Sequence, residues 1–223
     1  LSPRPEKNVD EEGKVGVVNG LAVYGPNMGA LLEIEATVCK ADGRKGEVTI
    51  TGIVEEESIG DRSKSIRRKS LAKGSVENVL TVLRQNGIRA NDYDIHINFP
   101  GGTPVDGPSA GIAIATAIVS ALNQTIVDPK VAMTGEISIH GKVKPVGGIT
   151  AKVKAAKEAG AERVIIPKDN ESELLNQMSG IEIIPVSEFV DVLDIALLPE
   201  RKTVQSKAVP AVGRLYASPT RKI

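Results

Sequence analysis

The sequence predicts an α+β domain of α/β-like character, in which β-hairpins come first and βα units follow. Residues 14–54 carry short apolar runs separated by Gly, Asn and Asp, a pattern typical of hairpins. After residue 107, apolar stretches with helical periodicity alternate with short β-rich stretches, which is typical of strand–helix units. The chain has 223 residues, of which 41% are apolar and 25% charged, and this composition suits a globular domain with a substantial core.

The first 54 residues are expected to form the hairpins. "KVGVVNGLAVYG" places Asn19-Gly20 between two apolar runs, which predicts a tight turn at that dipeptide. "LLEIEATVCK" alternates in part and predicts the next strand, after which "ADGRKGE" turns the chain into "EVTITGIV".

The middle of the chain is predicted to hold two helices and a strand. Residues 93–99 alternate like a strand, and residues 107–122 form an apolar helix of small residues that has no polar face and is therefore buried. Residues 65–86 predict an amphipathic helix that ends at Gly87 and has one apolar face, made of Leu71, Val76, Val79, Leu80 and Leu83.

The second half predicts strands and helices in alternation. Residues 130–146 are β-rich with a turn at His140-Gly141, and residues 147–160 form a helix that Gly160 ends. After these, "RVIIP" predicts a strand and the residues from about Asn170 predict a polar helix. "IEIIPV" then predicts a second strand, and "SEFVDVLDIAL" predicts a last helix.

Three segments are expected along the chain. Residues 1–13 are polar and rich in proline and charge, which is typical of a linker or arm. Residues 14–198 form the domain, and residues 199–223 are a basic, flexible C-terminal tail.

The composition argues against several functional classes. The chain has 28 basic and 28 acidic residues, so no net charge favours nucleic acid or a membrane surface. A single cysteine, Cys39, rules out an internal disulfide and fits a reducing cytosol. No run is long enough to span a membrane, and the start lacks the apolar core of a signal peptide. A soluble, cytoplasmic domain is expected.

Metal and nucleotide sites are not expected either. The two histidines, His96 and His140, and the one cysteine form no CxxC or HExxH spacing, and no glycine-rich phosphate loop is present. A Ser-His-Asp triad would have to use one of these two histidines.

The stretch "DGPSAG" places Ser109 at a strand–turn–helix junction. Gly107 permits an unusual backbone angle, and Pro108 suits a first helical turn. Amide groups at the start of this helix could stabilise negative charge on a carbonyl oxygen, while Ala110 and Gly111 leave room for a substrate backbone. For Ser109 taken alone, an ordinary residue of a helix N-terminus is the simpler interpretation.

A lysine can activate such a serine if its amine is neutral, and burial favours the neutral form. The helix of residues 147–160 offers Lys152 in its first turns, beside apolar neighbours, whereas Lys154 and Lys157 fall on the solvated side. For Lys152 taken alone, a solvated helix lysine is the simpler interpretation.

Three blocks of the sequence resemble the proteolytic domain of Lon proteases in order and spacing: "TPVDGPSAGIAIATAIVSAL", "VAMTGEISIHGKVKPVGGI" and "AKVKAAKEAGAERVIIPKDN". The resemblance spans about residues 14–198. "GLAVYGPNMGALLEIEA" and "EEESIGDRSKSIRRKSLAKGSVENVL" look most like the bacterial LonB-type enzymes. The resemblance implies the Lon proteolytic-domain fold and a serine endopeptidase.

The resemblance also implies roles for individual residues. Ser109 matches the family's nucleophile and Lys152 its general base, so that a Ser–Lys dyad would act through an acyl-enzyme. Thr134 matches a threonine whose hydroxyl orients the lysine amine. Asp106 matches an acid near the dyad, with a structural or regulatory role, because pairing with Lys152 would keep the amine charged.

Weaker assignments follow from the same resemblance. Glu136 matches an acid beside the site, and Gly107 and Pro108 belong to the serine turn. His96 fits a position where histidine occurs near the site in the family, but an alternating strand makes a packed or exposed histidine the simpler interpretation.

In the full-length proteins that this resemblance implies, an upstream AAA+ ATPase module uses ATP and Mg, unfolds polypeptide substrates and feeds them to a hexameric ring. The chain itself is expected to need no cofactor. The alternative function is a non-proteolytic Lon-like platform for assembly or binding. A related phosphate-binding kinase fold would need a longer Gly-Ser loop, which is absent from the sequence.

Overall fold

The computed structural model describes residues 8–24, 28–52, 71–101 and 107–199. The strands are β1 (Val17–Tyr24), β2 (Met28–Lys40), β3 (Val48–Thr51), β4 (Tyr93–Asn98), β5 (Val131–Met133), β6 (Glu136–Ile137), β7 (Val143–Lys144), β8 (Arg163–Pro167) and β9 (Glu182–Val186). The helices are α1 (Leu71–Gln85), α2 (Gly111–Asn123), α3 (Ile149–Glu158), α4 (Glu173–Asn176) and α5 (Phe189–Ala196), with short 3-10 turns at Ala90–Asp92, Gly107–Ala110 and Lys168–Asn170.

Seven of the described strands form one mixed sheet in the order β3-β4-β2-β1-β5-β8-β9. The pairs β1–β2 and β2–β4 are antiparallel. The pairs β3–β4, β1–β5, β5–β8 and β8–β9 are parallel. The short strands β6 and β7 form a separate hairpin. This arrangement confirms the predicted α+β class, with antiparallel pairing early in the chain and strand–helix units afterward.

The two faces of the sheet carry different helices. Val18 and Met133 point to the face on which α1, α2 and α5 pack. Their neighbours Leu21 and Ala132 point to the opposite face, on which α3 and α4 pack, because side chains alternate along a strand. Every residue of α2 from Gly111 to Ala121 is buried. The structure therefore confirms the prediction of a buried helix after residue 107.

The predicted turn at Asn19-Gly20 is wrong, because both residues lie inside β1. Asn19 is only 8% exposed, and its side-chain amide donates a 2.8 Å hydrogen bond to the carbonyl of Pro129. A Cβ on Gly20 would lie 3.1 Å from Cδ1 of Ile34 on β2. Tertiary contacts thus keep an Asn-Gly pair extended, and the link between β1 and β2 falls at residues 25–27, outside the described residues.

The replacement Asn19→Ala is expected to lower the free energy of unfolding by about 1–3 kcal/mol, because the carbonyl of Pro129 loses its buried donor. Urea unfolding measures this loss. The control is Asn86→Ala, since Asn86 donates a similar 2.8 Å bond to Val82 from an exposed position. Equal losses in both variants would contradict the assignment of the Asn19 effect to burial.

The order of the early strands also differs from a simple series of hairpins. β1 and β2 form a hairpin pair, but β3 does not pair with β2. β4 lies between them, antiparallel to β2 and parallel to β3. The chain therefore leaves the sheet after β3 and returns through α1, whose residues 71–85 confirm the described part of the predicted helix.

The segment before β1 takes part in the packing. Val9 is 8% exposed, and its backbone amide donates a 2.9 Å hydrogen bond to the carbonyl of Ala159. The packed structure thus extends N-terminal to Lys14, the predicted start of the domain. None of the helices within the described ranges combines the length and the apolar character needed to cross a membrane.

Candidate active site

Ser109 lies in the 3-10 turn that leads into α2, and it is 4% exposed. Its carbonyl oxygen accepts hydrogen bonds from the amide of Gly135, at 2.9 Å, and from the hydroxyl of Thr134, at 3.2 Å. Thr134 and Gly135 come directly after β5. The backbone of Ser109 is therefore attached to the carboxyl end of a central strand.

The backbone at the start of α2 packs against another segment of the same chain. The amide of Ile112 donates a 3.1 Å hydrogen bond to the carbonyl of Gly135. A Cβ on Gly111 would lie 2.8 Å from the amide nitrogen of Ile137 in β6. The expectation that Gly111 leaves room for a substrate backbone is wrong, because its missing side chain makes room for the chain's own β6.

Lys152 is completely buried, in the first turn of α3. Its backbone amide donates a 3.0 Å hydrogen bond to the carbonyl of Gly148. Val153 and Ala156 of the same helix are also fully buried, whereas Lys154 and Lys157 are exposed, as predicted. The Lys152 side chain is therefore removed from water along its whole length. That environment is the one a lysine base needs.

The first turn of α3 packs closely on the β1–β2 pair. Gly148 has a φ of +66°, and a Cβ there would lie 2.6 Å from Cγ1 of Val23. On β2, a Cβ on Gly29 would lie only 2.1 Å from the carbonyl oxygen of Ala151. The residue next to Lys152 is thus held directly against the strand.

Ser109 and Lys152 are brought to the same edge of the sheet from opposite faces. β1 and β5 are parallel neighbours, so their carboxyl ends lie side by side. Ser109 is bonded to Thr134 and Gly135 beyond the end of β5. Lys152 belongs to the helix whose first turn packs on Val23 near the end of β1. The carboxyl ends of parallel strands are where open α/β sheets place their sites.

Thr134 lies at the junction of these elements and is completely buried. Its amide donates a 3.1 Å hydrogen bond to the carbonyl of Ile165 on β8, and its hydroxyl donates to Ser109. Thr134 thus connects the end of β5 to β8 through its backbone amide and to the serine turn through its side chain.

The other predicted site residues are more scattered. Gly107 and Pro108 lie in the serine turn, where Pro108 is exposed. Glu136 is half-buried on β6, opposite Lys144. Asp106 lies outside the described residues.

His96 does not join the serine turn. It is exposed on β4, on the face opposite to α2, since its neighbours Ile95 and Ile97 point into the α2 core. Its Nε2 lies 3.0 Å from Oγ1 of Thr51. Of the two positions expected for a strand histidine, packed or exposed, His96 occupies the exposed one.

Two residues that position α3 were not identified from the sequence. Gly29 lies within the strand pattern "NMGALL", where an isolated glycine indicates a close approach of another backbone. Asn170 was assigned to the start of a polar helix, but it ends a 3-10 turn and bonds to the backbone of Val146. Nothing in the local sequence points to that long-range contact.

No set of three His, Cys, Asp or Glu side chains among the described residues could hold a metal ion. The functional groups described at this edge are the buried side chain of Lys152, the hydroxyls of Ser109 and Thr134, and backbone amides.

Comparisons with known proteins show the family to which the chain is related. The model of the Lon protease C-terminal proteolytic domain matches residues 3–199. "Lon protease 2" of Bacillus subtilis (strain 168) is 62% identical over 89% of this chain and 36% of its own length. The "Archaeal Lon protease" of Pyrococcus abyssi is 40% identical over 86% of this chain and 18% of its own length.

A further relative is the "Lon protease" of Azospirillum brasilense, 40% identical over 93% of this chain and 25% of its own length. The chain thus spans about a third or less of the length of these relatives. The higher identity with the Bacillus protein agrees with the predicted likeness to bacterial enzymes. The family match covers all of the described residues, and the chain therefore belongs to the Lon protease family, in which it corresponds to the C-terminal proteolytic domain.

Proposed function

We propose that the chain cleaves peptide bonds with Ser109 as nucleophile and Lys152 as general base. The observation that carries this proposal is the complete burial of Lys152 in the first turn of α3, at the same sheet edge as Ser109. Burial of a lysine side chain costs free energy because the charged form loses its contact with water. A lysine buried near a serine can act as the base for that serine when its amine is neutral.

The reaction would proceed in two stages. In the first, the Lys152 amine takes the proton of Oγ of Ser109, and Oγ attacks the peptide carbonyl carbon. The ammonium then protonates the leaving amine as the C–N bond breaks, which leaves an acyl-enzyme ester on Ser109. In the second stage the amine takes a proton from water, and the resulting hydroxide attacks the ester carbonyl carbon. The ester C–O bond to Ser109 then breaks, the ammonium returns its proton to Oγ, and the acid is released.

Supporting roles are assigned by position. Thr134 holds the serine turn through its 3.2 Å bond to Ser109, and we assign to it the role of orienting the lysine amine. Gly107 and Pro108 shape the same turn, and Glu136 lies on the adjacent hairpin. We assign Asp106 a structural or regulatory role and His96 no more than a minor one.

The proposal extends to the longer protein of which such a domain forms part. Residues 1–13 would be the arm that joins an ATPase module, residues 14–198 the proteolytic domain, and residues 199–223 a flexible basic tail. The ATPase module would use ATP and Mg to unfold polypeptide substrates and deliver them to a hexameric ring in the cytoplasm. The substrates are unfolded, damaged or regulatory proteins. The proteolytic domain itself uses no cofactor.

Ser109 is expected to react covalently with a fluorophosphonate, because the neutral amine of Lys152 activates its hydroxyl. Mass spectrometry of the labelled 223-residue chain locates the adduct. The labelling rate should rise with pH as the lysine loses its proton, and the replacement Ser109→Ala should remove the adduct. Slow cleavage of small or unfolded peptides should accompany labelling, without cleavage of folded proteins.

The matched control is Ser187→Ala, because Ser187 is exposed on the loop before α5. This variant should label like the unchanged chain. An adduct that never forms on Ser109 would instead indicate a non-proteolytic platform. Rapid cleavage of a folded substrate without ATP would contradict the proposed dependence on an ATPase module.

A further inference from the structure

The side chain of Asn170 holds both backbone polar groups of a single residue, Val146. Its Oδ1 accepts a 2.8 Å hydrogen bond from the amide of Val146, and its Nδ2 donates a 3.0 Å hydrogen bond to the carbonyl of the same residue. Asn170 and Val146 are both half-buried and lie 24 positions apart. The amide side chain thus pairs with Val146 in the way that a neighbouring strand would.

Val146 belongs to the segment that leads into the helix of Lys152. Gly147 and Gly148 follow it, both exposed, and Gly148 is the N-cap of α3. A Cβ on Gly147 would meet no atom within 4 Å, so this part of the backbone has open space beside it. The two hydrogen bonds from Asn170 therefore fix the segment at the last residue before the glycines.

The other side of the same helix start is held by the sheet. Gly29 lies against the carbonyl of Ala151, and Val23 lies against Gly148. The first turn of α3 is thus anchored on one side by the β1–β2 pair. The residues that lead into it are anchored by Asn170, in the segment after β8. The first turn of α3, which includes Lys152, is therefore held on two sides.

We infer that Asn170 is a positioning residue for the Ser109–Lys152 reaction, which acts by fixing the backbone entry to α3. The inference rests on the proposed function. A base must lie within hydrogen-bond reach of the hydroxyl whose proton it takes, so a shift of about 1 Å in the helix start is costly to the rate. The effect of Asn170 therefore falls on the chemical step and leaves binding of the reagent little changed.

Asparagine suits this role because a carboxamide carries a donor and an acceptor side by side. Aspartate has nearly the same shape but offers only acceptors when ionised, so it would place a carboxylate against the carbonyl of Val146. Alanine would remove both bonds. The replacements Asn170→Asp and Asn170→Ala thus separate the effect of shape from that of hydrogen bonding.

A peptidyl phosphonate tests the inference, because it binds reversibly before it reacts with Ser109. For both variants of the 223-residue chain we expect a 10- to 100-fold lower labelling rate at saturation, counted per folded molecule. The half-saturating concentration should change less than about twofold, since the binding surfaces are intact.

Two controls distinguish positioning from a loss of fold. Asn176→Ala removes an exposed asparagine of α4 whose side chain makes only a 3.4 Å contact with Glu171. Asn19→Ala lowers stability at the opposite end of β5, where its side chain bonds to Pro129. Both controls should keep the full labelling rate per folded molecule. Circular dichroism gives the folded fraction of every variant at the assay temperature.

Three results would overturn the inference. The first is a saturated rate in both Asn170 variants within twofold of the unchanged chain. The second is a loss that the folded fraction accounts for entirely, as in Asn19→Ala. The third is an unchanged chain that does not label at Ser109. That third result contradicts the proposed function itself, whereas the first two leave the proposed function intact.

Discussion

The replacement Lys152→Met is expected to remove peptide cleavage, with a loss of about 10³-fold or more, while the domain stays folded. Methionine has a similar length and volume but no amine, so Ser109 loses its proposed base. The side chain is completely buried and its helix neighbours Val153 and Ala156 are apolar, so methionine fits the site without desolvation of a polar head. The free energy of unfolding is measured in the same variant, so that a loss of the proposed base can be distinguished from a loss of the folded state.

Two measurements check this prediction: the labelling rate of Ser109 and the midpoint of urea unfolding. The matched control is Lys154→Met on the same helix. The Lys154 side chain is 68% exposed and lies 3.7 Å from Glu158, so its replacement should change neither rate nor stability appreciably. A Lys152→Met variant that retains most of its activity would contradict the assignment of Lys152 as the base.

The replacement Gly29→Ala is expected to lower both stability and activity, because the new methyl group would lie 2.1 Å from the carbonyl oxygen of Ala151. Backbone atoms cannot yield as the end of a flexible side chain can, so β2 and α3 must move apart. We expect a loss of about 2–4 kcal/mol in the free energy of unfolding. The shift also displaces the turn that carries Lys152, so the labelling rate of Ser109 per folded molecule should fall at least 10-fold.

The control for this variant is Gly74→Ala in α1, where a Cβ would meet no atom within 4 Å. Alanine favours the helix there, so stability should rise by about 0.5–1 kcal/mol with no change in rate. Thermal unfolding and phosphonate labelling measure both effects. If Gly29→Ala matches Gly74→Ala in both stability and labelling rate, the close contact between β2 and α3 does not determine the reactivity of Ser109.

The elements with strong local patterns could be predicted from the sequence. The apolar run before Leu122 has no polar face, and the helix α2 that it forms is buried along its length. The exposure of Lys154 and the burial of Lys152 follow from helical periodicity, because the two side chains point to different sides of α3. Helical periodicity depends only on residues that are close together in the sequence, so these features could be predicted from the sequence alone.

The Asn19-Gly20 dipeptide shows where local reasoning fails. Its turn propensity is real, but a buried hydrogen bond to Pro129 and the packing of Gly20 on β2 keep the pair extended. The same holds for Gly111, whose small size makes room for β6 and not for a substrate. In both cases the deciding neighbour lies far away in the chain.

The sequence by itself determined the class of fold, most of the helices and strands, and the two residue types that carry the proposed chemistry, Ser109 and Lys152. Only the tertiary structure decided that β4 lies between β2 and β3, that Ser109 is attached to Thr134 and Gly135, and that Asn170 holds the entry to α3. The physical reason is the range of the interactions. Helical and strand periodicity depend on neighbours a few residues apart, whereas strand order and the anchoring of α3 depend on contacts between residues far apart in the chain, which close only when the whole domain has folded.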